Sequence, residues 1–215
     1  MNEHDEHMWG IVLAGGEGKR VRRLVRERFN NDMPKQYCAF TGTRSMLQHT
    51  FSRIQKIIPP NRIAVTVSSQ HFEHARNELK GITERNIFVQ PFDRETGASI
   101  LFPLLHICHQ DPEATVAIFP SDHFVLGESR LMEYVISAAT YVGRHSKLLM
   151  LLGVEAEEAS TDYGWIEPEK KIAEWHGTDI YRVKRFWEKP SPLTAQRLYE
   201  SRSLWNTMIM VCQGT

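Results

Sequence analysis

The sequence predicts an α/β fold built on a doubly wound, mostly parallel sheet, and three observations predict it. Short apolar runs alternate with helix-periodic segments through the first two thirds of the chain. The first of those runs stops in glycines. The chemistry-bearing residues fall just after the runs, where open parallel sheets bind ligands.

The elements follow in order. Ile11-Val12-Leu13-Ala14 reads as a buried parallel strand and runs into Gly15, Gly16 and Gly18, then Lys19 and Arg20. Val21 to Phe29 reads as a short helix or a mobile basic segment. Pro34 forces an extended path that aims Lys35. A helix is expected from about Ser45 to Ile57, with Met46, Leu47, Phe51, Ile54 and Ile57 at helical spacing. Ile63 to Val67 gives the second strand, Gln70 to Lys80 a polar helix ended by Gly81, and Ile87 to Val89 a third strand. Thr96 opens a helix through His109 in which Pro103 predicts a kink or a late start. Thr115 to Phe119 is the most convincing central strand, followed by Pro120-Ser121-Asp122-His123, a helix from Glu128 to Val142 and a buried strand from Leu148 to Val154. The rhythm then changes. Tyr163 to Glu167 and Ile180 to Glu188 read as antiparallel or edge strands joined by a charged loop, and Pro190-Ser191-Pro192 starts a helix to Arg202.

With 215 residues, 41% of them hydrophobic, the chain suits one α/β domain or slightly more. Lys plus Arg and Asp plus Glu both number 26, which argues against a nucleic-acid or membrane-surface protein driven by bulk charge. Three widely spaced cysteines show no zinc pattern and suit a reducing compartment. The N-terminus lacks an apolar signal core and no run reaches transmembrane length, so a cytoplasmic location is expected.

Glycines at a strand end bare backbone N–H groups, and two cations follow, as in a phosphate cradle. The segment is not a P-loop, because Gly18-Lys19 is followed by Arg20. It is not the dinucleotide pattern either, because Val21 stands at the third glycine position. A plain strand-to-loop turn with solvated charges remains open on these residues alone.

Five motifs occur in one order, LAGGEGKR, MPKQ, FPSDHF, YGWIEP and FWEKP, with LWN after them. Together they resemble the sugar-1-phosphate nucleotidylyltransferases, most closely the mannose-1-phosphate guanylyltransferase branch. That resemblance implies a Rossmann-like sheet of the nucleotide-diphospho-sugar transferase type with a small antiparallel sugar-binding part. It treats residues 1–215 as one nucleotidyltransferase domain without the family's usual C-terminal continuation. It implies attack of a sugar-1-phosphate oxygen on the α-phosphorus of a nucleoside triphosphate, with pyrophosphate leaving. The partners would be those two small molecules, with no nucleic acid and no membrane, and with room for a homodimer.

By the family pattern, Leu13, Ala14, Gly15, Gly16, Gly18, Lys19 and Ser121 would bind the nucleotide. Arg20 would sit on the β- and γ-phosphates and Lys35 on the α-phosphate, as the catalytic pair. Asp122 would ligate Mg²⁺. Tyr163, Gly164, Glu188, Lys189 and Asn206 would bind the sugar phosphate. Each has a duller alternative: solvated charges for Arg20 and Lys35, a turn cap for Asp122, a surface pair for Glu188-Lys189. The chain departs from the family where Gln90-Pro91-Phe92-Asp93-Arg94 stands in the base-recognising segment. It departs again where Asn206 is followed by Thr207-Met208 in place of Ser-Gly, a change expected to crowd the sugar pocket. A non-catalytic nucleotide-binding homologue, or an enzyme for another base or sugar, is the competing reading.

Overall fold

The computed structural model describes residues 6–16, 18, 21–30, 32–91 and 95–214. The chain forms two compact units, one of residues 1–149 with 211–215, the other of residues 150–210.

The first unit is a parallel sheet wrapped by helices. Its strands are β1 (Met8–Leu13), β2 (Ile63–Ser68), β3 (Ile87–Gln90) and β4 (Thr115–Pro120). β1 lies between β2 and β4, and β2 carries β3 on its far side, all parallel. The apolar runs are buried as expected: Ile11, Val12, Val65, Val67 and Val116 are fully buried. Each such side chain contributes about 1.5–3 kcal/mol on burial. Trp9 Nε1 donates to Asp111 Oδ2 at 2.8 Å and ties the start of β1 to the turn before β4.

The helices are α1 (Arg22–Phe29), α2 (Met46–Ile54), α3 (Phe72–Glu78), α4 (Glu95–Gln110) and α5 (Glu128–Arg144). α2 starts on a complete capping box. Ser45 Oγ accepts from the Gln48 N–H at 3.1 Å, and Gln48 Oε1 accepts from the Ser45 N–H at 3.0 Å. The Ser45-x-x-Gln48 spacing is therefore a helix start in chemical terms.

Of the kink or late start expected for α4, the late start is absent. The helix begins at Glu95 and carries Pro103 inside. Proline removes the N–H that would bond the carbonyl four residues back. That carbonyl belongs to Ser99, and Thr66 Oγ1 of β2 donates to it at 2.8 Å. The orphan acceptor is thus satisfied from the sheet, which is why the helix continues through the proline.

The second unit is antiparallel. β6 (Gly164–Trp175) and β7 (Thr178–Glu188) form a long hairpin in which Trp175 pairs with Thr178. Only His176 and Gly177 turn the chain, with φ of 49° and 73°. Two left-handed residues make the tight turn that matches strand twist. The charged loop expected between these strands is instead strand, with Lys171 bridging Glu174 at 2.9 Å. The charged run Glu169-Lys170-Lys171 on a solvated ribbon hides the strand from a hydrophobicity reading. β8 (Leu204–Gln213) pairs antiparallel with β6, and β5 (Leu149–Glu155) pairs with β8. β5 is not the buried strand expected: Leu149 is 58% and Val154 50% exposed. An apolar run identifies a strand but not what covers it. α6 (Pro192–Glu200) is capped by Ser191, with Pro192 in its first turn. β8 starts in this unit and ends in the first.

Candidate active site

The strand order of the first unit creates one crevice. From β1 the chain moves to β2 and β3 on one side, then crosses to β4 on the other. The carboxyl ends of β1 and β4 therefore flank the switch point at which such sheets bind ligands. The residues there are Leu13, Ala14 and the glycine loop after β1, and Ser121 and Asp122 after β4. Ala14 N–H donates to the Thr66 carbonyl at 2.8 Å, and Ser121 N–H donates to the Leu13 carbonyl at 3.2 Å. The two segments leave the sheet side by side.

Gln36 shapes the loop. It is 2% exposed, and its Nε2 donates to the carbonyls of Ala14 at 3.0 Å and Gly16 at 2.8 Å. In a planar trans peptide the C=O and the following N–H point opposite ways. The Gly15 N–H therefore faces away from Gln36. Gly18 closes the turn at φ 62°, and a Cβ there would stand 3.2 Å from Lys35 Cγ. Both the left-handed backbone and the close approach of Lys35 require glycine.

Lys35 opens a 3-10 turn (Lys35–Tyr37) after the extended Pro34. Its Nζ is ion-paired with Asp122 Oδ2, and the two side chains are 31% and 25% exposed. These residues lie 87 positions apart in sequence and meet only because β4 returns beside β1. Asp122 is followed by His123, whose pKa is pushed down by burial against the opposing pull of Asp122. Lys19 and Arg20 lie outside the described residues.

The structure therefore brings Leu13, Ala14, Gly15, Gly16, Gly18, Lys35, Ser121 and Asp122 together. Gln36 received no site role from the sequence. The structure gives it one, and its only sequence signal is its place after Lys35.

The other predicted residues cluster in the second unit. Gly164 pairs with Glu188 across the β6–β7 ladder. A Cβ at Gly164 would meet Glu188 Oε2 at 3.1 Å and Phe186 Cζ at 2.9 Å, so the glycine leaves room for that carboxylate. Asn206 Cβ lies 3.5 Å from the same point. Lys189 Nζ sits 3.2 Å from Glu188 Oε1, both side chains well exposed. Tyr163 rests on Trp205 with ring centroids 4.7 Å apart. Glu188 and Lys189 thus present an acceptor and a cation next to an amide, a set suited to hydroxyls and an anion.

Asn206 is engaged within its own strand. Its Oδ1 accepts from the Met208 N–H at 3.1 Å, and its Nδ2 lies 3.2 Å from Met208 Sδ. Met208 holds φ 58°, a left-handed conformation that favours glycine. The methionine sulfur thus sits on the asparagine amide.

Comparison with known proteins bears on the whole chain. The family described as "Nucleotidyl transferase" matches residues 9–212. Mannose-1-phosphate guanylyltransferase 2 of Escherichia coli O157:H7 is 28% identical over 219 residues, covering 98% of this chain and 44% of that protein. The xanthan biosynthesis protein XanB of Xanthomonas campestris pv. campestris (strain B100) is 29% identical over 199 residues, covering 92% of this chain and 40% of that protein. The chain thus spans less than half the length of these relatives. Among solved structures, one described as mannose-1-phosphate geranyltransferase from Thermus thermophilus matches with a TM-score of 0.80 at 24% identity, over 97% of this chain and 58% of that one. That likeness shows a shared fold. Among the described residues no helix is long and apolar enough to cross a membrane.

Proposed function

This chain belongs to the nucleotidyl transferase family, and from that premise we propose that it transfers a nucleotidyl group from a nucleoside triphosphate to a sugar-1-phosphate, releasing NDP-sugar and pyrophosphate. GTP and mannose-1-phosphate are the proposed pair, because the relatives named above include a mannose-1-phosphate guanylyltransferase.

The observation that carries the reading is the Lys35–Asp122 ion pair beside a glycine loop at the sheet's switch point. The nucleophile is already an anion, so no general base is needed. The barrier lies in bringing two anions together and in the charge that grows on the leaving oxygen. Preorganised cations and N–H dipoles lower such a barrier. Lys35 would hold the α-phosphate, the loop amides and Lys19 the remaining phosphates, and Arg20 the departing pyrophosphate. Glu188, Lys189, Tyr163, Gly164 and Asn206 would receive the sugar phosphate.

Among the described residues no group of three or more His, Cys, Asp or Glu side chains is arranged to hold a metal ion. One carboxylate, Asp122, fits Mg²⁺, which needs one or two carboxylates and takes its other ligands from phosphates and water. Bound there, the ion would supply charge neutralisation on the phosphate oxygens. Asp122 would hold that cation, and Lys35 would contact the α-phosphate.

The test is pyrophosphate release from the four common nucleoside triphosphates against several sugar-1-phosphates, with Mg²⁺. GTP with mannose-1-phosphate is expected to give the highest rate. No release from any pair would overturn the reading in favour of a non-catalytic, nucleotide-binding homologue. The engagement of Asn206 by Met208 is the observation on that side.

A further inference from the structure

The glycine loop leans toward β2 and β3 as well as toward Lys35. A Cβ at Gly15 would stand 3.6 Å from the Ser68 nitrogen, at the end of β2, and 3.7 Å from Gln90 Oε1. Gln90 is the last residue of β3, which is the end strand of the sheet on that side. The crevice therefore has two unlike flanks. Lys35 and Asp122 put charge beside β4, and a neutral amide stands on the β2–β3 flank.

That amide is held in one orientation. Ser99 Oγ of α4 donates to Gln90 Oε1 at 3.1 Å, and both residues are only 9% exposed. Ser99 is itself fixed through its main chain, because Thr66 Oγ1 of β2 donates to its carbonyl at 2.8 Å. A hydroxyl carries one hydrogen, so a donating Ser99 faces the oxygen arm of the amide and leaves the NH₂ arm over. Among the described residues nothing accepts from Gln90 Nε2. The nitrogen is unmatched without being fully shielded, so a ligand can reach it. An amide donor in so buried a residue calls for an acceptor.

We propose that Ser99 is a positioning residue for base selection: by holding Gln90 Oε1 it presents the Gln90 N–H groups to the nucleobase and favours a purine with an oxygen at position 6. The inference rests on the proposed transfer reaction, in which Lys35 and the loop take the phosphates and the base is left the β2–β3 flank. Gln90 touches the base, and Ser99 acts through Gln90. The amide donor pairs with O6 of guanine or hypoxanthine. Against adenine it meets the 6-amino group, a second donor. The amide could turn over to accept from that amino group only by giving up its bond from Ser99. One amide reads position 6 and leaves position 2 unread, so hypoxanthine serves as well as guanine.

The experiment is calorimetry on the intact chain with GTP, ITP, ATP and the triphosphate of 2,6-diaminopurine riboside, without sugar phosphate. ITP against ATP, and GTP against the diaminopurine nucleotide, are pairs that differ at position 6 and the N1 proton it governs. In each pair the 6-oxo member is expected to bind about tenfold more tightly. Ser99→Ala keeps the carbonyl that Thr66 holds and frees the amide to turn over, so both ratios are expected to move toward parity. Gln90→Glu replaces the donor with an acceptor and is expected to reverse the preference. Parity in wild type overturns the proposal, as does tighter binding of ATP than ITP, or no binding of any of these nucleotides. Wild-type ratios in Ser99→Ala also overturn it, because the serine would then be only a structural contact. Pyrophosphate release separates this inference from the reaction beneath it. Turnover without a position-6 preference overturns the inference alone, and a position-6 preference without turnover on any sugar phosphate overturns the reaction alone.

Discussion

Gln36 reaches back twenty residues to Gly16 and fixes the carbonyl of a residue that has no side chain of its own to be held by. The same nitrogen serves Ala14, so one buried amide sets the direction of two loop carbonyls two residues apart. Gln36→Ala leaves two loop carbonyls without this donor. A stability loss of about 1–3 kcal/mol is expected from denaturant unfolding. Nucleotide affinity, measured by calorimetry at a temperature where the variant is folded, is expected to fall by more than stability alone explains.

The Lys35–Asp122 pair predicts opposite signs for two charge deletions. Without Mg²⁺, Asp122→Asn frees Lys35 and is expected to tighten triphosphate binding, while Lys35→Met weakens it. With Mg²⁺ and both substrates, each is expected to lose about a hundredfold or more in kcat. Both side chains are partly solvated, so a double-mutant cycle on stability should return less than about 1 kcal/mol of coupling. Equal effects of the two deletions on metal-free binding would sink this account of the pair.

Thr66 and Pro103 are coupled through the Ser99 carbonyl. Thr66→Val should cost about 1 kcal/mol in the wild-type chain. In a Pro103→Ala background the restored helical N–H serves the same carbonyl, and the cost should shrink. Additive losses in thermal unfolding would refute the link.

Met208→Gly relieves a left-handed methionine, worth about 1–2 kcal/mol, against the roughly 0.5–1 kcal/mol entropic cost of glycine. Stability should change little or rise slightly. The Asn206 amide loses its sulfur neighbour, and KM for the sugar-1-phosphate is expected to fall while KM for the nucleotide holds.

Glu167 predicts a pH dependence. Its carboxylate accepts from Lys184 Nζ at 2.7 Å and from Trp187 Nε1 at 2.9 Å, which hold its pKa below the ordinary carboxylate range. A depressed acid contributes stability that is present above its unfolded pKa, about 4.3, and lost as pH falls through the folded value. Stability should therefore decline in acid below about pH 5. Glu167→Gln should be less stable near neutrality and should flatten that decline, as read from denaturant midpoints across pH.

The parallel half of the fold was legible because its strands are continuous apolar runs and its helices carry clear periodicity. The antiparallel half was less so. Residues 168–175 include a run of three charged side chains, Glu169-Lys170-Lys171, on a solvated ribbon, and their strand character comes from pairing with residues 178–183 rather than from burial. His176-Gly177 is also a weaker turn signature than Asn-Gly. In the candidate site, the glycines and Asp122 could be placed at strand ends from sequence. The meeting of Lys35 with Asp122 followed only from the resemblance, which puts both at the phosphates; spacing alone could not give it, since it depends on the crossing from β3 to β4. The Gln36 contacts are invisible for the same reason: a buried amide carries no periodic signature.

The loop after β1 offers peptide N–H groups, and the genetic code has no codon that removes a peptide N–H except the one for proline. Substitution can bulk up Gly18 or unseat Gln36, but elsewhere along Ala14–Gly16 it changes only what surrounds the amides. A lineage carrying this loop is therefore free to retune the rim for new guests while inheriting the same main-chain donors underneath.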